Sequence, residues 1–265
     1  MKKYLAVARI TYSNIIQYRW EILVNQIRTV IVFLSLYYLW TNIYLGKTSL
    51  FGFSQREIIT YLFLSTVLRQ FILFSAADQI AGELQSWGKF FSYLLKPVGY
   101  FRYWFTVDLV YKIFDFVSVA IIISIFLVLF KVSLLIPHDY LYIIIFSASV
   151  LIAMLTYFFI AVLIATTGFW TNQVWGLQFL TVLLLDFSAG AYFPLDVLPT
   201  QFQTIIRFTP FPYLLYFPLK IFLQKVTIQE AITSVLISTI WLFLIFTILQ
   251  VFWRKGLKVY EAWGG

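Results

Sequence analysis

Residues able to do chemistry are few in this chain, and most of them fail on spacing. Gly82-Glu83-Leu84-Gln85-Ser86-Trp87-Gly88-Lys89-Phe90 has the outline of a phosphate-binding loop, but five residues separate its glycines where four are required. Phe90 also stands where a Ser or Thr must reach magnesium, so ATP is not bound here. His138 is the only histidine and cysteine is absent. Disulfides, thiolate metal sites, Fe–S clusters and a histidine-based metal site within one chain are thereby excluded. No constellation of His, Cys and carboxylate is available for a hydrolase or a transferase. What remains are charges set in apolar sequence: Arg69, Asp108, Lys112 and Asp115. Each costs about 2.5–3.5 kcal/mol at the centre of a membrane span, so each needs a partner. Asp108, Lys112 and Asp115 follow at steps of four and three, share one helical stripe and can neutralise one another. Arg69 and Asp115 fall at similar depths on neighbouring spans at about 1.5 Å per residue, so they are expected to pair. Such a pair serves either to register packed helices or as a functional polar element.

The apolar sequence around these charges belongs to a membrane. From Tyr140 to Leu185 the chain runs 46 residues without a charged side chain. As one helix that run would be about 70 Å long, more than twice the hydrocarbon thickness. It must fold back, and Thr166-Thr167-Gly168 followed by Thr171-Asn172-Gln173 marks the place. Charged residues make up 11% of the chain, against about a quarter in soluble domains. The net charge of +8 does not imply nucleic acid, because the basic residues sit at the ends of apolar segments, where topology accounts for them. No stretch is left for a soluble domain of ordinary size, about 100 residues or more.

Apolar windows place six spans at 26–46, 57–77, 106–130, 140–165, 173–190 and 231–253. The N-terminus lacks an unbroken apolar h-region, since Arg9 and Arg19 interrupt it, and is expected to stay attached. Within residues 1–25, Leu5, Ala8, Tyr12, Ile15 and Ile16 lie opposite Arg9, Ser13, Gln17 and Glu21. That pattern predicts an amphipathic helix over 4–21, lying in the interface or, alternatively, packed on loops. With both termini inside, eleven Lys and Arg fall on the inner side and six on the outer, which favours that orientation. Tyr37, Tyr38, Trp40 and Tyr44, and likewise Trp170 and Trp175, are expected in interface belts.

Two connections exceed simple turns. The inner one, 78–104, predicts a helix from Gln79 to Leu95 closed by Lys96-Pro97. The outer one, 190–225, holds five of the seven prolines (Pro194, Pro199, Pro210, Pro212, Pro218) yet stays apolar between them. Non-helical backbone at membrane depth needs cover from protein, so this segment is expected to re-enter as short helices. Residues 254–265 form a basic tail.

Taken together this all-α arrangement of six spans, interfacial helix, helical inner loop and re-entrant outer segment resembles the permease subunit of a type-2 ABC exporter, the ABC-2 family. Gly190-Ala191-Tyr192-Phe193-Pro194-Leu195, continuing to Leu198-Pro199, Phe202 and Pro210, resembles the family's G-x-x-FPL-x-x-LP stretch after the fifth span. Ile80-Ala81-Gly82-Glu83-Leu84 through Leu94-Leu95-Lys96-Pro97 resembles its inner coupling segment. Tyr18-Arg19-Trp20-Glu21 and the tail from Gly256-Leu257-Lys258 to Gly264-Gly265 are similar to the smaller bacterial branch. The resemblance implies one permease domain over 1–265 in a bacterial plasma membrane, both termini cytoplasmic, exporting an amphiphilic or hydrophobic substrate. No cofactor is expected in this chain. ATP and Mg would be held by a separate ABC ATPase, and a second copy or a related permease would complete the pathway. Gly82, Glu83, Gln85 and Lys89 would then meet the ATPase, with Trp87, Phe90 and Phe91 as aromatic anchors. A secondary transporter, the main alternative, needs internal repeats or broken spans with ion-coupling carboxylates; an intramembrane enzyme needs a catalytic constellation.

Overall fold

Long apolar runs bounded by polar or glycine-containing turns become long helices here, and a computed structural model describes residues 2–86, 90 and 98–262. The helices are α1 Lys2–Gln17, α2 Arg19–Ile43, α3 Gln55–Ile72, α4 Gln79–Gln85, α5 Tyr100–Leu129, α6 Tyr140–Ala165, α7 Trp175–Ser188, α8 Thr200–Arg207, α9 Tyr216–Phe222 and α10 Ile228–Ala262. The expected fold-back is present: α6 ends at Ala165, a 3-10 turn covers Thr166–Phe169, and α7 begins at Trp175. α6 is the axis of the bundle. More than half of its most apolar stretch is buried (56%), against 11% for α2. α3, α9 and α10 pack around it, and α5 packs on α3.

Among the described residues four helices are long and apolar enough to cross a membrane, namely Arg19–Ile43, Tyr100–Leu129, Tyr140–Phe169 and Ile228–Val259. Gln55–Ile72 qualifies only together with Ala76–Gln85, across a bend of 41°. The chain is a multi-pass membrane protein, but two of the expected spans take other forms. The segment expected as 57–77 is straight only to Ile72. The segment expected as 173–190 yields α7, 14 residues long, about 21 Å and short of a hydrocarbon core about 30 Å thick.

The N-terminal helix ends at Gln17, earlier than its pattern predicts, and α2 takes over at Arg19 after a turn at Tyr18. One flank of α1 packs on α5: Thr11 and Ile15 are buried, and the Tyr4 hydroxyl lies 3.4 Å from the Gly99 amide. The adjoining flank, Leu5, Tyr12 and Ile16, faces outward. Trp253 of α10 lies beside Tyr100 of α5, so both ends of the chain sit on one side of the bundle, here called the terminal side. The aromatic belt expectation divides. Tyr38, Trp170 and Trp175 are exposed, whereas Trp40 and Tyr44 are buried against Phe33, Ile58 and Leu62, because their helix is tightly packed at that level.

On the far side β1 Ser49–Leu50 and β2 Phe53–Ser54 form an antiparallel hairpin whose two turn residues, Phe51 and Gly52, both have positive φ (53° and 81°). That geometry matches the right-handed twist of the strands and suits glycine at the second position. Ser54 then caps α3 in a capping box with Glu57. Lys225 closes the corner, 2.6 Å from Glu57 and donating to the Gly52 carbonyl at 3.0 Å.

The proline-rich segment folds into α8, α9 and the 3-10 turns Leu195–Val197 and Phe211–Tyr213. α9 is interior, with Leu219 and Ile221 fully buried. The segment starts deep in the bundle. Tyr61 Oη donates to the Gly190 carbonyl at 2.6 Å and Ser65 Oγ to that of Ala191, and Ser65 lies about 15 Å along α3 from its first residue. Gly190 has φ +78°, and a Cβ there would come within 2.7 Å of Tyr61 Oη. Gly190→Ala is therefore expected to destabilise the protein by about 1–3 kcal/mol. Thermal unfolding of the purified variant in detergent measures it, and an unchanged midpoint would show that this corner is not constrained.

Candidate functional site

At the break after α3 the helical ladder stops inside the bundle, and side chains from α5 take up the freed backbone groups. Lys112 Nζ donates to the Ile72 carbonyl at 3.3 Å, while Asp108 Oδ1 accepts from the Ala76 amide and from Ser75 Oγ, both at 2.8 Å. Lys112 Nζ and Asp108 Oδ2 lie 3.5 Å apart, and both side chains are essentially inaccessible, at 0% and 1%. The stripe of charges thus neutralises itself as its spacing predicts, but only over Asp108 and Lys112. An unpaired carbonyl or amide at this depth would cost about 1–3 kcal/mol. Asp108 and Lys112 are in effect the caps of a bent span.

Beyond the bend lies α4, which is interrupted after Gln85 by an extended Ser86, with Phe90 again helical. Trp87, Lys89 and Phe91 lie outside the described residues, as does the stretch to Pro97. α4 buries Ile80, Ala81 and Leu84 against the bundle. Gly168, in the turn after α6, lets that turn approach; a Cβ there would sit 3.1 Å from the Ala81 carbonyl. The next residue, Phe169, lays its ring on Gly256 of α10 so closely that a Cβ on Gly256 would fall 2.1 Å from the ring. Glu83 turns toward α5, accepting from Tyr100 Oη at 2.9 Å and Trp104 Nε1 at 3.1 Å. Gln85 donates to the Thr171 carbonyl at 3.3 Å. One short helix therefore touches α5 through Glu83 and packs on the end of α6 and the turn after it, and that turn packs on α10.

Phe90 corrects an expectation. As a partner anchor it should be exposed, but it is 1% accessible, with Tyr100, Trp253 and Phe169 rings 5.2, 5.9 and 6.3 Å away. Its apolar surface is already taken up within the chain. Gly82, by contrast, is exposed with open space beside it.

The expected Arg69–Asp115 pair does not form. Arg69 makes a bidentate pair with Asp186 instead, Nε to Oδ1 at 2.7 Å and the guanidinium to Oδ2 at 2.6 Å, and Tyr192 Oη donates to the same Oδ2 at 3.0 Å. Asp186 lies within the expected fifth span but was not among the charges singled out. A planar guanidinium matches a carboxylate at two points, and α7 stops just where Asp186 faces α3. Asp115 is held by Gln26 of α2, whose Nε2 approaches Oδ1 at 3.4 Å and Ser118 Oγ at 2.6 Å. In the re-entrant motif Pro194, Pro199 and Pro210 each stand at the start of a short helix, where a missing amide costs nothing. Phe193 packs on the α2–α3–α5 cluster, and Gly190 is the tight corner described above. Among the described residues no three of His, Cys, Asp and Glu gather to hold a metal ion. Lys220–Asp196 at 3.1 Å and the Glu57–Lys225 pair are further ion pairs among the described residues, and nothing in the sequence pattern singles them out.

Breaking Arg69–Asp186 from one side strands a buried charge, so Arg69→Ala is expected to cost about 3–5 kcal/mol. Arg69→Asp combined with Asp186→Arg should regain part of that loss in thermal unfolding, and a double swap no better than the worse single variant would argue that the two side chains do not act as a pair.

Four helices long and apolar enough to span a membrane, with a bent fifth candidate beside them, are the geometry of a polytopic membrane protein. Among curated proteins none matches the chain. A family profile described as ABC-2 family transporter protein matches residues 29–264, from within α2 onward. The chain belongs to the ABC-2 family of transporter proteins.

Proposed function

We propose that this chain is the membrane-spanning subunit of an ATP-driven exporter, moving an amphiphilic or hydrophobic substrate out of the cytoplasm with energy from a separate ABC ATPase. ATP and Mg belong to that partner, and a second copy or a related permease completes the pathway. The observation that carries the reading is the placement of α4: a short helix with an open position at Gly82, joined to α3 through a capped bend, that packs on the end of α6 and its following turn and is hydrogen-bonded to α5. A partner that binds α4 differently in two states can bias the arrangement of all of them. Under this reading the chain crosses a bacterial plasma membrane six times with both termini cytoplasmic, and the segment from Gly190 to Lys225 re-enters from outside to complete the depth that α7 leaves open.

One observation favours a secondary transporter: the second span is broken beside two carboxylates, Asp78 and Asp108. Asp108, however, has Oδ1 taken by Ser75 and Ala76 and Oδ2 facing Lys112 at 3.5 Å, an arrangement that favours a cap over an ion site.

The test uses Gly82, the open position on α4. Gly82→Trp should leave insertion and monodispersity intact while lowering ATPase association and substrate-stimulated hydrolysis at least about tenfold, the effect of about 1.4 kcal/mol lost at an interface. Unchanged association, stimulation and export would remove α4 from the coupling path. Failure to capture any ATPase from mild detergent would put the secondary transporter first. Topology is checked separately, since the chain has no native cysteine. Cysteines at Lys47 and Lys258 should label with a membrane-impermeant thiol reagent in intact cells at 47 only; labelling at 258 alone would invert the orientation.

A further inference from the structure

Gln70 Nε2 of α3 donates to Thr29 Oγ1 of α2 at 3.0 Å, and that bond sets the register of the two helices at this depth. It brings Arg28 and Arg69, one residue away on either helix, to the wall of a single cavity of about 360 Å³ between α2, α3 and α7. Arg28 stands about 14 Å along α2 from its first residue, between the two membrane surfaces.

The two cations are not equally matched. Arg69 spends Nε and one terminal nitrogen on Asp186 and keeps the other terminal nitrogen uncommitted. Arg28 is exposed where it lines the cavity, and among the described residues it makes no ion pair and no hydrogen bond. Glu21 and Asp115 line a neighbouring cavity that Arg28 also borders, yet neither pairs with it. The cavity thus has two guanidiniums beside the one carboxylate that pairs with them, an excess of one positive charge. Its hydroxyls are spent: Thr29 and Thr66 donate to carbonyls of their own helices and Tyr192 donates to Asp186. What the polar wall offers is therefore cationic N–H, and the group that matches it is an oxyanion, which a guanidinium can hold at two points.

The remaining lining is apolar. Val32 and Leu36 extend the cavity along α2 for about 12 Å beyond Arg28, and Phe179 and Val182 of α7 line it as well. A volume near the lower end of small-molecule sites suits a compact ligand with a charged head and an apolar body.

We propose that this cavity is the cargo site and that the cargo is a compact amphiphile with a single oxyanion, a sulfonate or carboxylate, held by Arg28 and Arg69 with its apolar body along Val32 and Leu36. The word cargo rests on the export reading, whereas the site and its charge preference rest on the cavity alone.

The experiment places the full-length protein in phosphatidylcholine nanodiscs and measures binding of radiolabelled decylsulfonate by scintillation proximity, with empty nanodiscs as background. Unlabelled decylsulfonate should displace the label at least about tenfold better than decanol or decyltrimethylammonium, the size of one charge-assisted hydrogen bond. Inorganic sulfate should not compete, because it lacks the apolar body. Arg28→Gln should weaken decylsulfonate about tenfold and leave decanol unchanged, while Val32→Trp, which narrows the apolar part, should weaken both alike. Arg69 is kept, since its loss strands Asp186. Monodispersity in detergent controls for folding, and the wild-type panel decides the charge preference even if a variant fails to fold. Equal displacement by the sulfonate and the trimethylammonium, competition by inorganic sulfate at equal concentration, or binding indifferent to Arg28→Gln overturns the site. With an ATPase present, ATP-driven passage of decylsulfonate that Arg28→Gln lowers is expected in proteoliposomes. A complex that hydrolyses ATP and binds decylsulfonate without moving it overturns the cargo assignment. Absence of any ATPase partner overturns the export reading instead, and the binding measurement, which uses none, still decides the site.

Discussion

Hydrocarbon offers no hydrogen bonds, and the breaks in helical backbone after Ile72 and Ser188 are organised by that fact. Among the described residues the chain leaves the helix inside the bundle after Ile72 and again after Ser188. Each time side chains of a neighbouring helix meet the exposed backbone groups: Lys112 and Asp108 at the first, Tyr61 and Ser65 at the second. These four residues would look like isolated polar oddities on apolar helices if the backbone they serve were ignored. Once the breaks are fixed, α4 is set at its angle to α3, α9 is held in the interior, and Asp186 is brought within reach of Arg69.

How much of this the sequence reveals depends on the range of the interaction. Long uncharged runs and the fold-back at Thr166-Thr167-Gly168 follow from hydropathy and local turn chemistry, and the helices appear there. Asp108–Lys112 is a contact one helical turn apart and follows from spacing alone. The partner of Arg69 does not, because depth arithmetic needs true helix ends. α3 stops at Ile72 and α7 is only 14 residues long, so the depths of Arg69 and Asp186 differ from those the expected spans give. Asp186 was visible as the single acid inside an apolar run, and that isolation was the available signal. Gln26 gave none, since an amide in a span is read as tolerated polarity until its neighbours are known.

The terminal side shows why aromatic residues mislead when read from sequence. Phe90 has the type of an interface anchor, yet it lies in a cluster with Tyr100, Phe169 and Trp253, whereas a glycine, Gly82, presents the open surface of α4. Small residues on this side mark close approach in two further places, Gly168 under α4 and Gly256 under the Phe169 ring. The junction is tight because side chains were removed from it, and only then can large rings fill what remains.

The packing of α1 on α5 also sets an order of events in synthesis. α1 emerges first, but the surface that buries Thr11 and Ile15 begins at Tyr100, more than eighty residues later. At about 5–20 residues per second the ribosome needs several seconds to deliver it. During that interval the flank of α1 that carries Thr11 and Ile15 lacks the surface that buries it, so α1 gains its packing partner only once the third long helix has been made.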